Sequence, residues 1–517
     1  MKKSRMFNGA KGLVSLCLLS LAMSVFAKTP TLESEIKITD TGLYFDGKKV
    51  GKNAPEVKKP TYDFHFGRRI TPHGDSIKTF NEFVFLTWYK GGKDKRQVML
   101  SRYNTLTGSL KTIEFPHRHT GFRNQPWIGE SHNYIAVGIS PLDGTVHLLY
   151  DMHAYGKTRP ADGSLANDYF RYTVSKPNVA TAPDKDFTLE NFVKNKKGGY
   201  KHLSLTKTPD YAAFSGLTYP TFFLNTNNEL LMYMRRGGNN NGGYVFSAYK
   251  AEQKTWTPLT QFNVMDAKRK GNAYNWGLYG SMKYVNGKLR VGFQQRSGDN
   301  NDRYIYQNGI FYAYSDNQDG SSDWKDHTGK GFDIPLVNSG KIKVAEPGDF
   351  MKETKPNSVH IVQGFDWTVT ARGDVHFISQ VRNKRKTHEV SVHTYKPAGS
   401  KTFISTKDFA GASSIYTSGD DIYIIGLNKS GRPFVEKAAG GTNNFKRIYN
   451  AKKGRQFRHG NVHISDGKLY YYLMEKGEGN AQPVYLQIIN LYDKKSKTKL
   501  DSKSKPEAKP SKALDKI

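Results

Sequence analysis

Turn signals set inside short apolar runs, rather than any helical periodicity, constrain this chain most. Runs rich in Tyr, Phe, Val and Ile are broken by Gly, Asn and Asp in YFDGKKV (44–50), ISPLDGTVHLLY (139–150), YVNGKLRVGF (284–293), TARGDVHFIS (370–379), SGDDIYIIGL (418–427) and SDGKLYYYL (465–473). Each reads as a β-hairpin, because alternating runs flank residues that tolerate a tight turn. The last three turns sit at Gly373, Gly419 and Gly467, spacings of 46 and 48 residues. A period of that length, one antiparallel sheet per unit, predicts an all-β chain folded as a β-propeller of six to eight blades. Earlier spacings are longer and point to an insertion over 156–209; within it, 186–194 (DFTLENFVK) is a short predicted helix. SDNQDGSSDW (315–324) resembles a degenerate Asp-box, the blade-turn motif of sialidase-like propellers, in a single imperfect copy.

The two ends carry other information. Lys2, Lys3, Arg5 and Lys11 precede an apolar stretch over 13–21, and Val25-Phe26-Ala27 fits cleavage before Lys28. Residues 1–27 therefore read as a secretory signal peptide, too short and wrongly flanked to span a membrane. The sole cysteine, Cys17, lies within it, and Leu16 occupies the place where a lipoprotein signal needs a small residue. No lipid anchor is expected, and the mature chain has neither disulfides nor thiol chemistry. Residues 494–517 are Lys-rich with too few apolar groups to bury, and read as a disordered tail. Of the net charge of +32, these two ends carry about ten, leaving roughly +22 on residues 28–493. For a protein in the periplasm or outside the cell, such a field selects an acidic or sulfated polysaccharide over nucleic acid and speeds its capture in a salt-dependent way. A monomer is expected.

Two hairpins place reactive side chains at their open ends. In GESHNYIAVGISPLDGTVHLLYDMH (129–153), a four-residue loop over 141–144 sets His132 opposite His153; a two-residue turn at 143–144 instead sets Tyr134 there, with His132 still adjacent. In LTYPTFFLNTNNELLMYMRRGG (217–238), a loop centred on Asn227 pairs Tyr219 with Arg235, and one half a step later pairs it with Arg236. If both hairpins hold equivalent positions in their blades, all four groups meet on one face. That set suffices for β-elimination on a uronic acid. A fixed guanidinium neutralises the carboxylate, a group titrating near neutrality removes the C5 proton, and a neighbouring acid protonates the departing oxygen. No catalytic metal is required. Competing readings fit less well. A sialidase-like hydrolase needs repeated Asp-boxes and an N-terminal Arg-Ile-Pro, both lacking, and a two-carboxylate glycosidase has only Glu130 and Asp151 near the histidines. HRH (117–119) without HExxH is a poor zinc signal. A non-catalytic propeller lectin for sulfated glycans is the alternative from another class.

GESHN…DGTVHLLYDMHAY, LTYPTFF…LLMYMRRGGNNNGGYVF, NWGLYGSMKYVNGKLRVGFQQRS and GFDWTV…GDVHFIS, in that order from about Thr61 to Leu491, resemble the β-propeller ulvan lyases of polysaccharide lyase family 24, with family 25 a related alternative. The resemblance implies a seven-bladed propeller that cleaves ulvan, a sulfated rhamnose–uronate polymer, leaving 4,5-unsaturated uronate ends. It implies a catalytic set of His132, His153, Tyr219 and Arg235. On this reading Arg235 neutralises the carboxylate, His132 and Tyr219 handle protons, and His153 orients substrate or acts as a second base. His73, Asn133 and Arg296 are candidate substrate-binding residues along the groove. Some members carry a structural divalent metal, for which the sequence offers no ligand set.

Overall fold

Consecutive antiparallel hairpins build almost all of the computed structural model. It describes residues 30–53, 61–92, 96–123, 125–150, 152–153, 170–208, 213–297, 308–355 and 358–491. The signal peptide and the Lys-rich tail expected from the sequence lie outside these residues, as does Asp151.

Strands Ile77–Phe80, Phe83–Tyr89, Gln97–Asn104 and Leu110–Arg118 form one four-stranded meander, and Ile135–Ser140, Thr145–Tyr150 and Tyr172–Val174 a three-stranded sheet. Leu217–Leu224, Leu230–Gly238 and Asn241–Lys250 follow, then Trp276–Val285, Lys288–Ser297 and Asn308–Ser315; one parallel bridge, Gly242 to Gly277, links these two groups. Two further four-stranded meanders run from Val359 to Thr406 and from Tyr416 to Asn450. In the last sheet, Phe457–Ser465, Lys468–Glu475 and Ala481–Asn490 are completed by Thr31–Leu43, so the beginning of the described chain pairs with its end.

The core explains why the sheets stack in sequence. Strands such as Phe83–Tyr89 and Ile135–Ser140 are buried along their whole length, as strands covered on both faces must be. The apolar clusters lie between successive sheets. Phe85 and Leu100 pack with Val137 and Leu148, and on the far side of that hairpin Ala136 and Leu149 pack with Phe222 and Met232. Val84 and Leu86 of the first meander pack with Tyr472 and Leu486 of the last sheet, closing the circuit. The result is an all-β, propeller-like ring.

Two sequence expectations are corrected. Residues 186–194 are not an α-helix but parts of two single 3₁₀ turns, Asp184–Asp186 and Leu189–Asn191. Phe187 and Phe192, five positions apart, are both buried, against Phe85 and Phe115, and one helical face cannot present both. Residues 44–50 do not form a hairpin; Tyr44 bridges to Arg69 and Lys49 to Phe64, so the segment pairs with later chain instead of with itself. The Asp-box-like stretch does form a closed turn, with Ser315 Oγ donating to the Ser322 carbonyl at 2.6 Å and Trp324 Nε1 to that of Gly320 at 2.7 Å. No helix among the described residues is long and apolar enough to cross a membrane.

Candidate active site

The first hairpin adopts the four-residue loop. Its ladder runs from Ser140 opposite Thr145 to Ile135 opposite Tyr150, and the two chain ends continue past it. Three positions further on, the rings of His132 and His153 lie with centroids 4.5 Å apart. Glu130, fully buried, holds both. Its Oε1 accepts from His132 Nδ1 at 2.5 Å and from the His132 backbone N–H at 2.9 Å, and its Oε2 accepts from His153 Nδ1 at 3.0 Å. Burial works against ionisation here, yet the hydrogen bonds from the two imidazoles hold the carboxyl down at about 2. An ionised carboxylate only accepts, so both Nδ1 atoms carry protons, and Nε2 is the nitrogen of each ring left to exchange a proton. Burial lowers the His153 pKa against the opposing pull of Glu130, with His132 and Arg235 adding to the decrease. Asn133 is buried beneath; its Oδ1 accepts the His153 backbone N–H at 2.8 Å and its Nδ2 donates to the Gly121 carbonyl. Its amide thus faces the protein, not a groove.

Tyr219 reaches the same spot by a different route from simple pairing. From Leu224–Leu230 to Thr221–Tyr233 the second hairpin follows the loop centred on Asn227, but the register then shifts, and Thr218 rather than Tyr219 pairs with Arg235. Tyr219 and Pro220 form the intervening bulge, with Tyr219 at φ +55°. A bulge re-aims a side chain, and proline fits where no ladder N–H is needed. The Tyr134 hydroxyl donates to the Pro220 carbonyl and pins the bulge. The Tyr219 ring consequently lies 5.5 Å from His132 and stacks on His153 at 5.7 Å. Burial raises its pKa well above the usual tyrosine value; Tyr279 and Glu130 add to the rise, and Arg235 and Arg296 oppose it.

Arg235 is 4% exposed and has no carboxylate partner among the described residues. Nε donates to the Leu278 carbonyl at 3.1 Å, Nη1 to Gly237 at 3.0 Å, and Nη2 to Gly238 at 2.6 Å and Asn239 at 3.3 Å. Four of five N–H groups are thereby engaged by neutral oxygens, leaving one donor and the full positive charge. Gly242 and Gly277 make room for it: a Cβ on either would fall 2.5 Å or 2.9 Å from Nη2. Arg235 and Arg296 lie over the Tyr279 ring at 4.4 and 4.2 Å.

The structure therefore gathers His132, His153 and Tyr219 in ring contact, with Arg235 close enough to act on His153 and Tyr219. His73 sits beside them, its pKa lowered to about 4 by burial and by the charges of His132 and Arg69. Arg236, the other register candidate, donates instead to the Ala213 carbonyl. Three site residues escape the sequence reading. Glu130 was weighed only as a hydrolytic carboxylate. Phe66, 48% exposed, stands edge-on to both imidazoles at 5.1 and 5.7 Å, brought there by the parallel pairing of Asp63–Phe64 with Ile128–Gly129. Tyr279 is the third. An aromatic before Gly67-Arg68-Arg69, another between Leu278 and Gly280, and a buried Glu two residues before a histidine leave no distinctive pattern. Glu130, His132 and His153 offer three donor atoms within 4.8 Å, a set that can also hold a divalent ion.

A ring of antiparallel sheets with an Asp-box-like turn defines the broad class: residues 83–407 match the family described as BNR repeat-containing family member. Within it the relatives are more particular. The chain is 56% identical over 476 residues to the short isoform of ulvan lyase from Alteromonas sp. (strain LOR), covering 89% of this chain and 90% of that protein. It is 55% identical over 498 residues to the long isoform from Pseudoalteromonas sp. (strain PLSV), of which it spans only 49% while 94% of this chain is matched. The crystal structure of the polysaccharide lyase Uly1 superposes with a TM-score of 0.85 at 48% identity, over 89% of this chain and 99% of the other. A PL25 ulvan lyase bound to -[GlcA(1-4)Rha3S]- shares the fold at 12% identity and a TM-score of 0.54, over 88% and 96%. The chain belongs to the ulvan lyase family.

Proposed function

We propose that this protein is a secreted, seven-bladed propeller lyase that cuts ulvan by β-elimination beside the uronate. The observation that carries the chemistry is one buried carboxylate shared by two Nδ1–H groups, with a phenol against both rings. Glu130 fixes both imidazoles as Nε2 bases. His132, the more exposed of the two, takes the C5 proton of the uronate. Electrons of the C5–H bond form the C4–C5 double bond as the C4–O4 bond breaks, and the Tyr219 hydroxyl protonates O4. A tyrosine whose pKa is raised by burial keeps its proton at working pH and suits the acid role better than the base role. The imidazolium and phenolate then re-equilibrate through solvent. The uncompensated charge of Arg235, with Arg296 across Tyr279, stabilises the carboxylate as it gathers charge. His153 provides a second bare Nε2 on the same carboxylate, and His73 and Phe66 border the site. Seven blades accord with one sheet per apolar junction around the ring and with strand Thr31–Leu43 completing the last sheet.

Incubation of ulvan with the purified protein should produce the ultraviolet absorbance of 4,5-unsaturated uronate and shorten the polymer. New reducing ends without that chromophore mean hydrolysis, and retention of polymer without shortening means a lectin; either result sinks the proposal.

A further inference from the structure

A second cleft, of about 820 Å³, opens between the sheet 135–174 and the sheet 217–261, at the opposite end of their strands from the imidazoles. Thr145, at the turn end of strand Thr145–Tyr150, lines it. That strand alone places about 17 Å of extended chain between the cleft and His153. Six lysines line the cleft, Lys176, Lys194, Lys196, Lys197, Lys207 and Lys254, all on exposed residues, and no acidic residue does so. Glu190 lies outside the lining; hydrogen bonds from its own backbone N–H and from Thr188 lower its pKa, and the charge of Lys194 adds to the decrease. The floor is aromatic and rigid. Tyr172 receives the Trp256 Nε1–H at 3.0 Å and bonds His147 Nδ1 at 2.6 Å, while the Tyr249 hydroxyl donates to Asp143 at 3.0 Å. The exposed Val193 extends the apolar surface.

An apolar, pre-formed floor inside a one-signed rim selects a ligand with a hydrocarbon face and an anionic edge. A sulfated or carboxylated sugar ring has this form: C–H groups on one face, acidic substituents at its margin. We infer that this cleft is an accessory binding site for anionic polysaccharide, holding a remote stretch of the chain that the imidazole site cuts. The identity of that polymer as ulvan rests on the proposed function; the anionic-glycan chemistry of the cleft does not. The Lys-rich tail, carrying the same charge, is excluded as an occupant.

The side chains of Lys196, Lys197 and Lys254 make no hydrogen bond or ion pair among the described residues, while the backbone N–H groups of Lys197 and Lys254 bond to Asn195 Oδ1 and the Ala251 carbonyl, bonds that serine keeps, so replacing all three by serine leaves the fold intact. The full chain carrying K196S/K197S/K254S is compared with wild type and with K446S/K452S/K453S, which removes the same charge from another sheet region. Affinity electrophoresis through ulvan, desulfated ulvan and no polymer is the first readout. The cleft variant should bind ulvan about ten-fold more weakly at low salt, and the control variant less than about three-fold. Turnover of a tetrasaccharide too short to reach the cleft should stay within about two-fold of wild type, while KM for polymer rises. Equal losses in the two triple variants, or none in the cleft variant, overturn the inference. Loss of binding to phosphatidylglycerol vesicles without loss on ulvan overturns it in favour of a lipid surface. Wild-type protein that binds ulvan through these lysines yet yields no unsaturated product overturns the lyase reading and supports this one.

Discussion

Replacing Glu130 by glutamine tests whether one carboxylate sets the chemistry of both imidazoles. Glutamine keeps the shape but exchanges one acceptor for an NH₂ group. One imidazole retains a partner for its Nδ1–H; the other faces a donor and must move its proton to Nε2 or turn away. With two His132 donors on Oε1 the NH₂ falls toward His153, and His132 keeps its acceptor but loses the anion that stabilises it once it takes the C5 proton, as when a serine protease loses the carboxylate behind its histidine, so kcat should fall by about 10²–10⁴-fold. Stability responds in a separate, signed way. A carboxyl held at about 2 instead of 4.5 makes about 3 kcal/mol of folding free energy depend on its ionisation. Because the folded value is the lower one, this contribution is whole above pH 4.5 and fades as pH falls toward 2. E130Q lacks it at pH 7 and should show a lowered Tm there, with a shallower decline below pH 4.5 than wild type. The assay is initial rate of unsaturated-uronate formation from pH 5 to 9, with circular dichroism to verify folding. A folded E130Q within about ten-fold of wild-type kcat refutes the shared-anchor argument, because an imidazolium without its carboxylate cannot sustain such a rate.

Tyr219→Phe should lower kcat by about 10²-fold or more with little change in KM or Tm, measured by the same rate assay; an unchanged kcat removes Tyr219 from proton transfer. Gly242→Ala puts a Cβ 2.5 Å from Arg235 Nη2, so the guanidinium must move, costing about 1–3 kcal/mol in stability and much of the turnover, read by thermal melts and rates together. Buried histidines make the fold acid-sensitive: burial lowers His147, His376 and His459 to about 3 and His393 to about 4. The unfolded chain binds protons first, so their contribution is whole above about pH 6.5 and is lost progressively toward pH 3–4. Tm should drop steeply between pH 6.5 and 4, and a flat profile contradicts the neutral burial of these rings.

What the sequence made legible follows from what kind of signal each feature leaves. The 46- and 48-residue spacing of Gly373, Gly419 and Gly467 marks real turns between paired strands, because a tight turn is a local demand on two or three residues. The first hairpin's loop length fixes its register, and register alone carries His132 to His153. Helical periodicity over 186–194 misled, since Phe187 and Phe192 are placed by the sheet beneath them rather than by their own spacing.

The second hairpin shows the limit more sharply. Uniform pairing brings Tyr219 opposite Arg235, which places the right residues together for an incomplete reason. In an unbroken antiparallel pair, side chains directly opposite share one face, and Tyr219 would point wherever Arg235 does. The two have different tasks. Arg235 turns toward the carbonyls of Gly237, Gly238 and Leu278, whereas Tyr219 stacks on His153. Separating them requires the one-residue slip at Tyr219-Pro220, and a proline inside an otherwise regular strand was its visible trace. Glu130 left no such trace. Its role is defined by two rings 21 residues apart in sequence meeting one carboxylate, and only the closed hairpin brings them there. The meeting of the two imidazoles was readable from strand pairing; the carboxylate that holds both of their Nδ1–H groups was readable only in three dimensions.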